Sequence, residues 1–489
     1  MRKFLPAIVI GALLMGTIAA RADERQLELR PHAVADIDGD ARDDVLLRVR
    51  DRRSGELWAQ ARSGADGTVL WTRALPADTA LEPGTDLRHA LALTWHIERV
   101  PGTPLPTTGR LQMLDLSDGR TRWTFDPGAD HADALSYIAM EAKPLPDATG
   151  DAIGEVLVSI HRSEPVVSLD PPLIGLGGSL SICILDGGSG EKLGQCLKQT
   201  VSEGFYTTGM LPDMDGDGRF DIVARLQTYG GTRLVAWSTT TGTLWSIPVD
   251  ETYRTRSFAV LPGSSRHAIL FGGHGGAAIF SSDFAVRDAG DGSLLWTGAQ
   301  GSPAGIGDVD ADGRQDVSLL DDPEGDGTYG IVTRSGLNGA LLAASPPVYQ
   351  FGRVLHDLTG DGITDVITRS SAGDGSPRWT VVDGRTASAV LHTPDDGGEI
   401  RSVIRDATGD GESDLLEKRY DGFELRTIVR DGRTLARTWS APYADIQIAL
   451  DASGPPAAEL LLAFGGRLDL HGPSGLLWRI YVQDSLPEP

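Results

Sequence analysis

The chain of 489 residues is acidic, with 68 Asp and Glu against 44 Lys and Arg and a formal charge of −24. Its arginines are scattered among acids with no basic stripe, which makes nucleic acid and anionic lipid poor partners. Asn occurs only at Asn338, so there is no N-glycosylation sequon.

Residues 1–22 read as an export signal. Arg2 and Lys3 precede an uncharged apolar run from Phe4 to Ala20, and Ala20-Arg21-Ala22 fits the small-x-small pattern for cleavage before Asp23. The run of 17 residues is short for a membrane span, and no second stretch of spanning length follows. The mature chain, 23–489, is therefore expected to be a single soluble domain, secreted or periplasmic, monomeric, with no membrane insertion after cleavage. Losing Arg2, Lys3 and Arg21 takes its charge to −27.

From Asp36 onward an aspartate-rich nonapeptide, Asp-x-Asp-Gly-Asp-Gly-x-x-Asp with an aliphatic residue after it, recurs in five clear copies. They begin at Asp36, Asp213, Asp308, Asp357 and Asp406, and weaker copies begin at Asp147 and Asp451. Oxygen donors at positions 1, 3, 5 and 9, with a carbonyl at position 7, suit a hard cation that takes six to eight oxygens, and calcium fits best. Zinc would need His or Cys, and none lies inside the five loops. Bare Asp-Gly turns are the plain alternative, but they need no acid at position 9. Gly at positions 4 and 6 reaches positive φ without steric cost, so Ala41 at position 6 and Ala311 at position 4 are expected to be slightly strained. The copy at Asp147 keeps Asp147, Thr149, Asp151 and Glu155 as a weaker candidate. The copy at Asp451 has Pro455 and Pro456 where the cage should close and is expected to be empty.

Spacing gives the repeat. The loops at Asp308, Asp357 and Asp406 are 49 residues apart, and Asp451 follows after 45. The intervals of 111 residues from Asp36 to Asp147 and 95 from Asp213 to Asp308 each hide a unit without its loop, marked by Arg88–Leu93 and Arg266–Phe271. A Gly-containing turn dipeptide recurs at Asp66-Gly67, Asp118-Gly119, Ser189-Gly190, Thr241-Gly242, Asp291-Gly292, Asn338-Gly339, Asp383-Gly384, Asp431-Gly432 and Ser474-Gly475. These are nine hairpin signals for nine units. Trp71, Trp123, Trp245, Trp296 and Trp478 follow at four or five residues, a placement that predicts one packing layer between neighbouring units. Short strands such as Val45–Val49 and Val366–Arg369, with no sustained helical stripe, complete the pattern.

The expected fold is all-β, a β-propeller of about eight or nine four-stranded blades with Asp-rich calcium loops. Nine units sit just above the usual range, so either the ring has nine blades or the second unit is distorted or shared in closure. Cys183 and Cys196 flank the Ser189-Gly190 turn and face each other across one hairpin, as a disulfide or as two buried thiols.

These loops resemble the FG-GAP repeats of integrin alpha-subunit propellers and of bacterial secreted proteins with FG-GAP or VCBS repeats, and the resemblance covers nearly the whole mature chain. It implies calcium held by Asp36, Asp38, Asp40 and Asp44, by Asp213, Asp215, Asp217 and Asp221, and by Asp308, Asp310, Asp312 and Asp316. In the remaining two copies Asp357, Asp361 and Asp365, and Asp406, Asp410 and Asp414, are joined at position 3 by the neutral donors Thr359 and Thr408. About five calcium ions follow. The Phe-Gly and Gly-Ala-Pro words of the repeat are poorly kept, so an integrin-like ligand mode is not implied. The Asp-Gly to Trp hairpins also look like quinoprotein repeats, but the adjacent Cys pair typical of those dehydrogenases is missing.

No catalytic signature is present: no Gly-x-Ser-x-Gly elbow, His-Glu-x-x-His helix, phosphate loop or dinucleotide fingerprint. His89 and His267 occupy equivalent places in degenerate units, which structure explains better than catalysis. Insertions at His161–Gly178, Thr94–Glu98 and Phe271–Gly276 are where a repeat scaffold carries specificity. The expected function is binding or adhesion to an extracellular protein or polysaccharide, with calcium structural and no catalytic residues. A secreted polysaccharide lyase or hydrolase on a calcium-bearing propeller is the alternative, and a structural envelope component is the third.

Overall fold

The computed structural model describes residues 27–486 apart from 97–98, 101–102, 105–107, 128–136, 170–171, 202–205, 229, 250–257, 262–266, 273–283, 299–302, 323–325, 327, 349, 396, 405, 423, 443–444, 451–458, 465–466 and 473–474. Residues 1–22 and the copy at Asp451 lie outside the described residues. Nine four-stranded antiparallel sheets follow one another along the chain, spanning 27–75, 79–125, 137–201, 206–248, 258–298, 304–347, 350–394, 399–442 and 445–481. Every sheet is a simple meander, so each is a propeller blade made from one continuous stretch. The only helix among the described residues is one short 3₁₀ turn, Val482–Ser485.

The second unit is a complete blade, Thr79–Pro83, His89–His96, Thr108–Asp115 and Thr121–Phe125. Its departure is a small inserted hairpin, Arg99–Val100 with Thr103–Pro104, between its second and third strands. The ring closes by packing and exchanges no strand: Leu27, Leu29, Val45, Leu47 and Val49 of blade one bury against Leu461, Leu468 and Leu470 of blade nine, with Val482 and Leu486 added. Ser485 then takes hydrogen bonds from Gln60 and Arg62.

The tryptophans form the predicted layer. Trp71, Trp123, Trp245, Trp296 and Trp478 each donate Nε1–H to a backbone carbonyl in the third-to-fourth-strand turn of the next blade, at Leu116, Gly187, Ala289, Gly336 and Gly64. The same turn places Gly119, Gly190, Gly292, Gly339 or Gly67 flat on the indole, where an added Cβ would lie 2.6–3.3 Å from ring atoms. These glycines have φ between 70° and 76°, so sterics and backbone both ask for the missing side chain.

Two turn signals need correction. Gly384 and Gly432 are not at the left-handed position, which belongs to Ala387 (φ 54°) and Leu435 (φ 58°) three residues on. Their neighbours in the preceding blade are smaller: Ala387 is buried beside Ala343, and Leu435 beside Leu391, so no indole demands a glycine. Gly384 and Gly432 are glycines for another reason, because a Cβ there would collide with the Thr364 and Ser413 carbonyls. The ninth signal also differs, since Gly475 opens the last strand opposite Gly472 and Ser474 lies outside the described residues.

Candidate functional site

The aspartate loops join the first and second strands of their blades, on the face that also carries the third-to-fourth-strand turns. Five of the six described copies share one backbone scheme, and in the sixth Asp308 accepts from Asp312 and Gly313 with no bond from Ala311 at position 4. The position 1 carboxylate accepts N–H groups from inside the loop: Asp36 from Gly39 and Ala41 at 2.6 and 2.8 Å, and Asp213 from Gly216 and Gly218 at 2.6 and 2.8 Å. Asp357, Asp406 and Asp147 repeat the pattern. The expected strain is present, with Ala41 at φ 66° and Ala311 at 60°, and Ala152 joins them at 67°.

Position 9 is a clamp. Asp44, Asp221, Asp316, Asp365 and Asp414 are buried, and one oxygen of each accepts the N–H of position 2, from Ile37, Met214, Val309, Leu358 and Ala407 at 2.7–2.8 Å. In four of them the other oxygen accepts a turn N–H about 20 residues later in the same blade, from Gly64, Gly336, Gly384 and Gly432 at 2.8–3.0 Å. In the weaker copy the longer Glu155 does the same work for Ala148 and Thr149. The clamp thus ties loop and turn into one rigid corner. Burial, with the neighbouring loop carboxylates, pushes Asp44, Asp221 and Asp316 up to about 6 and raises Asp414 and Glu155, while burial with the turn carboxylate of Asp383 raises Asp365.

The structure brings carboxylate oxygens within 4.8 Å of one another in three loops: Asp36, Asp38 and Asp40; Asp213, Asp215 and Asp221; and Asp308, Asp310 and Asp316. Asp221 adds a buried oxygen, Oδ1, with no hydrogen-bond partner. A hard cation fits such an all-oxygen set and would offset the carboxylate repulsion that adds to burial in these loops. Asp44, Asp217 and Asp312 stand in the same loops without completing a four-carboxylate group. The loops at Asp357 and Asp406 keep the conformation but bring no third carboxylate, because position 3 is Thr359 or Thr408.

Contacts from the third-to-fourth-strand turns are the part the sequence reading missed. Thr240 and Thr241 donate to Asp217 and Asp215, Ser335 donates to Asp312, and Arg385 ion-pairs with Asp361 at 2.8 Å. Such residues lie more than 20 positions downstream of their loops, where local spacing carries no signal.

Cys183 and Cys196 form a disulfide, which decides between the two readings. His89 stands where position 9 would be in the second blade, and its Nδ1 meets Asp86 Oδ2 at 2.6 Å, so a side-chain pair takes the place of the aspartate loop. Among the described residues no helix is long and apolar enough to cross a membrane. The insertion at His161–Gly178 continues two paired strands, Val156–Leu169 and Pro172–Leu185, away from the loop face. Phe271–Gly276 lies largely outside the described residues.

No family model matches the chain, and none of the curated proteins matches it. Among solved structures it is similar to the rhamnogalacturonan lyase YesW, at 13% identity and TM-score 0.41, over 94% of this chain and 86% of that one. It is also similar to the WD40 domain of SCAP from fission yeast, at 8% identity and TM-score 0.39 over 91% and 94% of the two chains. A third likeness is to a periplasmic gluconolactonase from Pseudomonas aeruginosa, at 13% identity and TM-score 0.32 over 90% and 99%.

Proposed function

We propose that the chain is an exported, calcium-stabilised propeller of the FG-GAP and VCBS kind that binds an extracellular polysaccharide or protein on the face opposite its aspartate loops. The supporting observation is the convergence of three carboxylates within 4.8 Å in each of three loops, held by a shared set of backbone hydrogen bonds that leaves oxygens available to a hard cation. Calcium is structural in this reading: it offsets carboxylate repulsion at the corner where loop, clamp and turn meet. Residues 1–22 direct export, and the disulfide suits an oxidising compartment. Binding belongs to the opposite face because the inserted hairpin of blade two and the long hairpin of blade three both extend there.

The test is an array of microbial and plant polysaccharides and extracellular proteins, probed with the mature chain in millimolar calcium and read by retention and by mass spectrometry of released fragments. Retention without fragments is expected. Released fragments would replace binding by cleavage.

A further inference from the structure

The inner strands of blades one and two part, toward the face opposite the aspartate loops, to leave a cleft of about 430 Å³. Arg30, His32, Arg48 and Arg50 line one wall, and Asp78, Thr79 and Glu82 line the other. Below it the same interface is apolar and closed by Val34, Leu46, Leu57 and Leu81, so the cleft has a hydrophobic floor.

Its cations are crowded in the ladder. Arg30 and Arg48 stand directly opposite each other in the ladder, a like-charge pair that destabilises a sheet. Arg30 is relieved by Glu28, at 3.1 Å. Arg48 has only the Thr79 carbonyl, at 2.9 Å, and the Arg50 guanidinium has no hydrogen-bond or ion-pair partner among the described residues. Burial and the adjacent Arg30 and Arg50 push the Arg48 pKa down, as expected where positive charge is concentrated and only partly compensated. Asp78 and Glu82 line the cleft without ion-pairing to either arginine. In a chain of −24 three guanidiniums on one wall, with two carboxylates on the other, form a site of mixed charge that an anionic polar ligand fits.

On the far side of strand Thr79–Pro83 a second cleft, of about 330 Å³, is lined by Leu91, Leu93, Met140, Glu141 and again by Ala80 and Glu82. Glu82 therefore stands between a basic compartment and one that is apolar apart from Glu82 itself and Glu141. Compartments of this size suit small ligands or single sugar units and are far below a protein interface. The carboxylates of Asp78 and Glu82 across from the arginines supply acceptors for sugar hydroxyls.

We infer that this cleft binds an acidic oligosaccharide, with Arg48 and Arg50 holding a sugar carboxylate, Asp78 and Glu82 accepting hydroxyls, and the neighbouring apolar cleft taking the C–H face of the next unit. This rests on the carbohydrate form of the function proposed above. A planar guanidinium matches a carboxylate bidentately, which selects an acidic sugar over its neutral counterpart.

The test is calorimetry on the calcium-loaded full chain with a mannuronate trimer and with mannotriose, which differ in carboxylate against hydroxymethyl. The acidic trimer should bind at least about tenfold more tightly, and Arg48→Gln or Arg50→Gln should each weaken it about tenfold, as for loss of one charged hydrogen bond. Arg50→Gln removes no contact and should keep the wild-type melting point, so lost binding there is not lost folding. Tyr420→Ala, on an exposed patch of blade eight, should leave affinity unchanged. Acidic-trimer binding that survives in the double arginine variant, or equal affinity for both trimers, overturns the cleft and leaves the carbohydrate reading standing. Capture of hexaglutamate with no sugar bound overturns the carbohydrate reading itself.

Discussion

Replacing Gly339 by Ala tests whether the tryptophan layer determines which turn residues are allowed. Gly339 has φ 72°, and a Cβ would lie 2.7 Å from Trp296 Cδ2. Trp296 cannot retreat easily: its Nε1 is bonded to the Gly336 carbonyl at 3.2 Å, and Phe284 meets its ring edge-on at 5.2 Å between centroids. Gly55 is the matched control, with φ 78°, the same bond from its N–H to the carbonyl four residues earlier, and nothing within 4 Å of where an added Cβ would sit. Both substitutions incur the left-handed penalty of about 1–2 kcal/mol. Only Gly339→Ala adds overpacking, about 1–3 kcal/mol. Urea unfolding of the two variants should therefore differ by about 1–3 kcal/mol. A second substitution, Trp296→Leu, should recover part of that difference, since Leu391 against Leu435 is the arrangement already present between blades seven and eight. Equal destabilisation by Gly339→Ala and Gly55→Ala would refute the packing argument and leave backbone conformation as the whole cause.

Other consequences are accessible to the same measurements. Reducing Cys183–Cys196, which closes a sequence separation of 13 residues, should lower stability by about 3 kcal/mol in the chain-entropy picture; an unchanged melting point in reductant would show that the hairpin holds without it. Asp414→Asn removes one acceptor from a buried clamp that serves Ala407 and Gly432 and should destabilise by about 1–3 kcal/mol, whereas Asp78→Asn, in the cleft, should leave the melting point unchanged. His161 is buried, and burial holds its pKa below the ordinary 6.5. With the folded value below the unfolded one, its contribution is complete above pH 6.5 and is lost as pH falls below that. Wild type should therefore lose more stability than His161→Gln between pH 7 and pH 5, and parallel pH profiles would contradict the assignment.

The repeat was legible because its loop carboxylates, turn glycines and strand starts recur at short, fixed offsets, and nine blades follow from counting them. The tryptophan layer was legible for the same reason, as was the strain at Ala41 and Ala311. Gly384 and Gly432 were misplaced because the residue that decides their turn, Leu391 in place of a tryptophan for the last of them, lies in the preceding blade. The second function of position 9 was equally hidden: its partner Gly64 is 20 residues from Asp44, and nothing local in the loop distinguishes a metal ligand from a backbone clamp. The basic cleft is farther still from sequence logic, since Arg30, Arg48 and Thr79 belong to three strands of two blades. Repeats reveal what every blade shares, and specificity lies in what one pair of blades does differently.

The most direct test of structural calcium is a melting curve of chelator-stripped protein titrated with calcium, with bound metal counted by mass spectrometry. Sites of the affinity found in extracellular modules should each add about 1.4–2.7 kcal/mol at ten to a hundred times their Kd. The loops at Asp36, Asp213 and Asp308 should fill first, and Asp213→Asn with Asp215→Asn should remove one ion. A melting point indifferent to calcium, with no metal retained, would contradict the assignment of these loops.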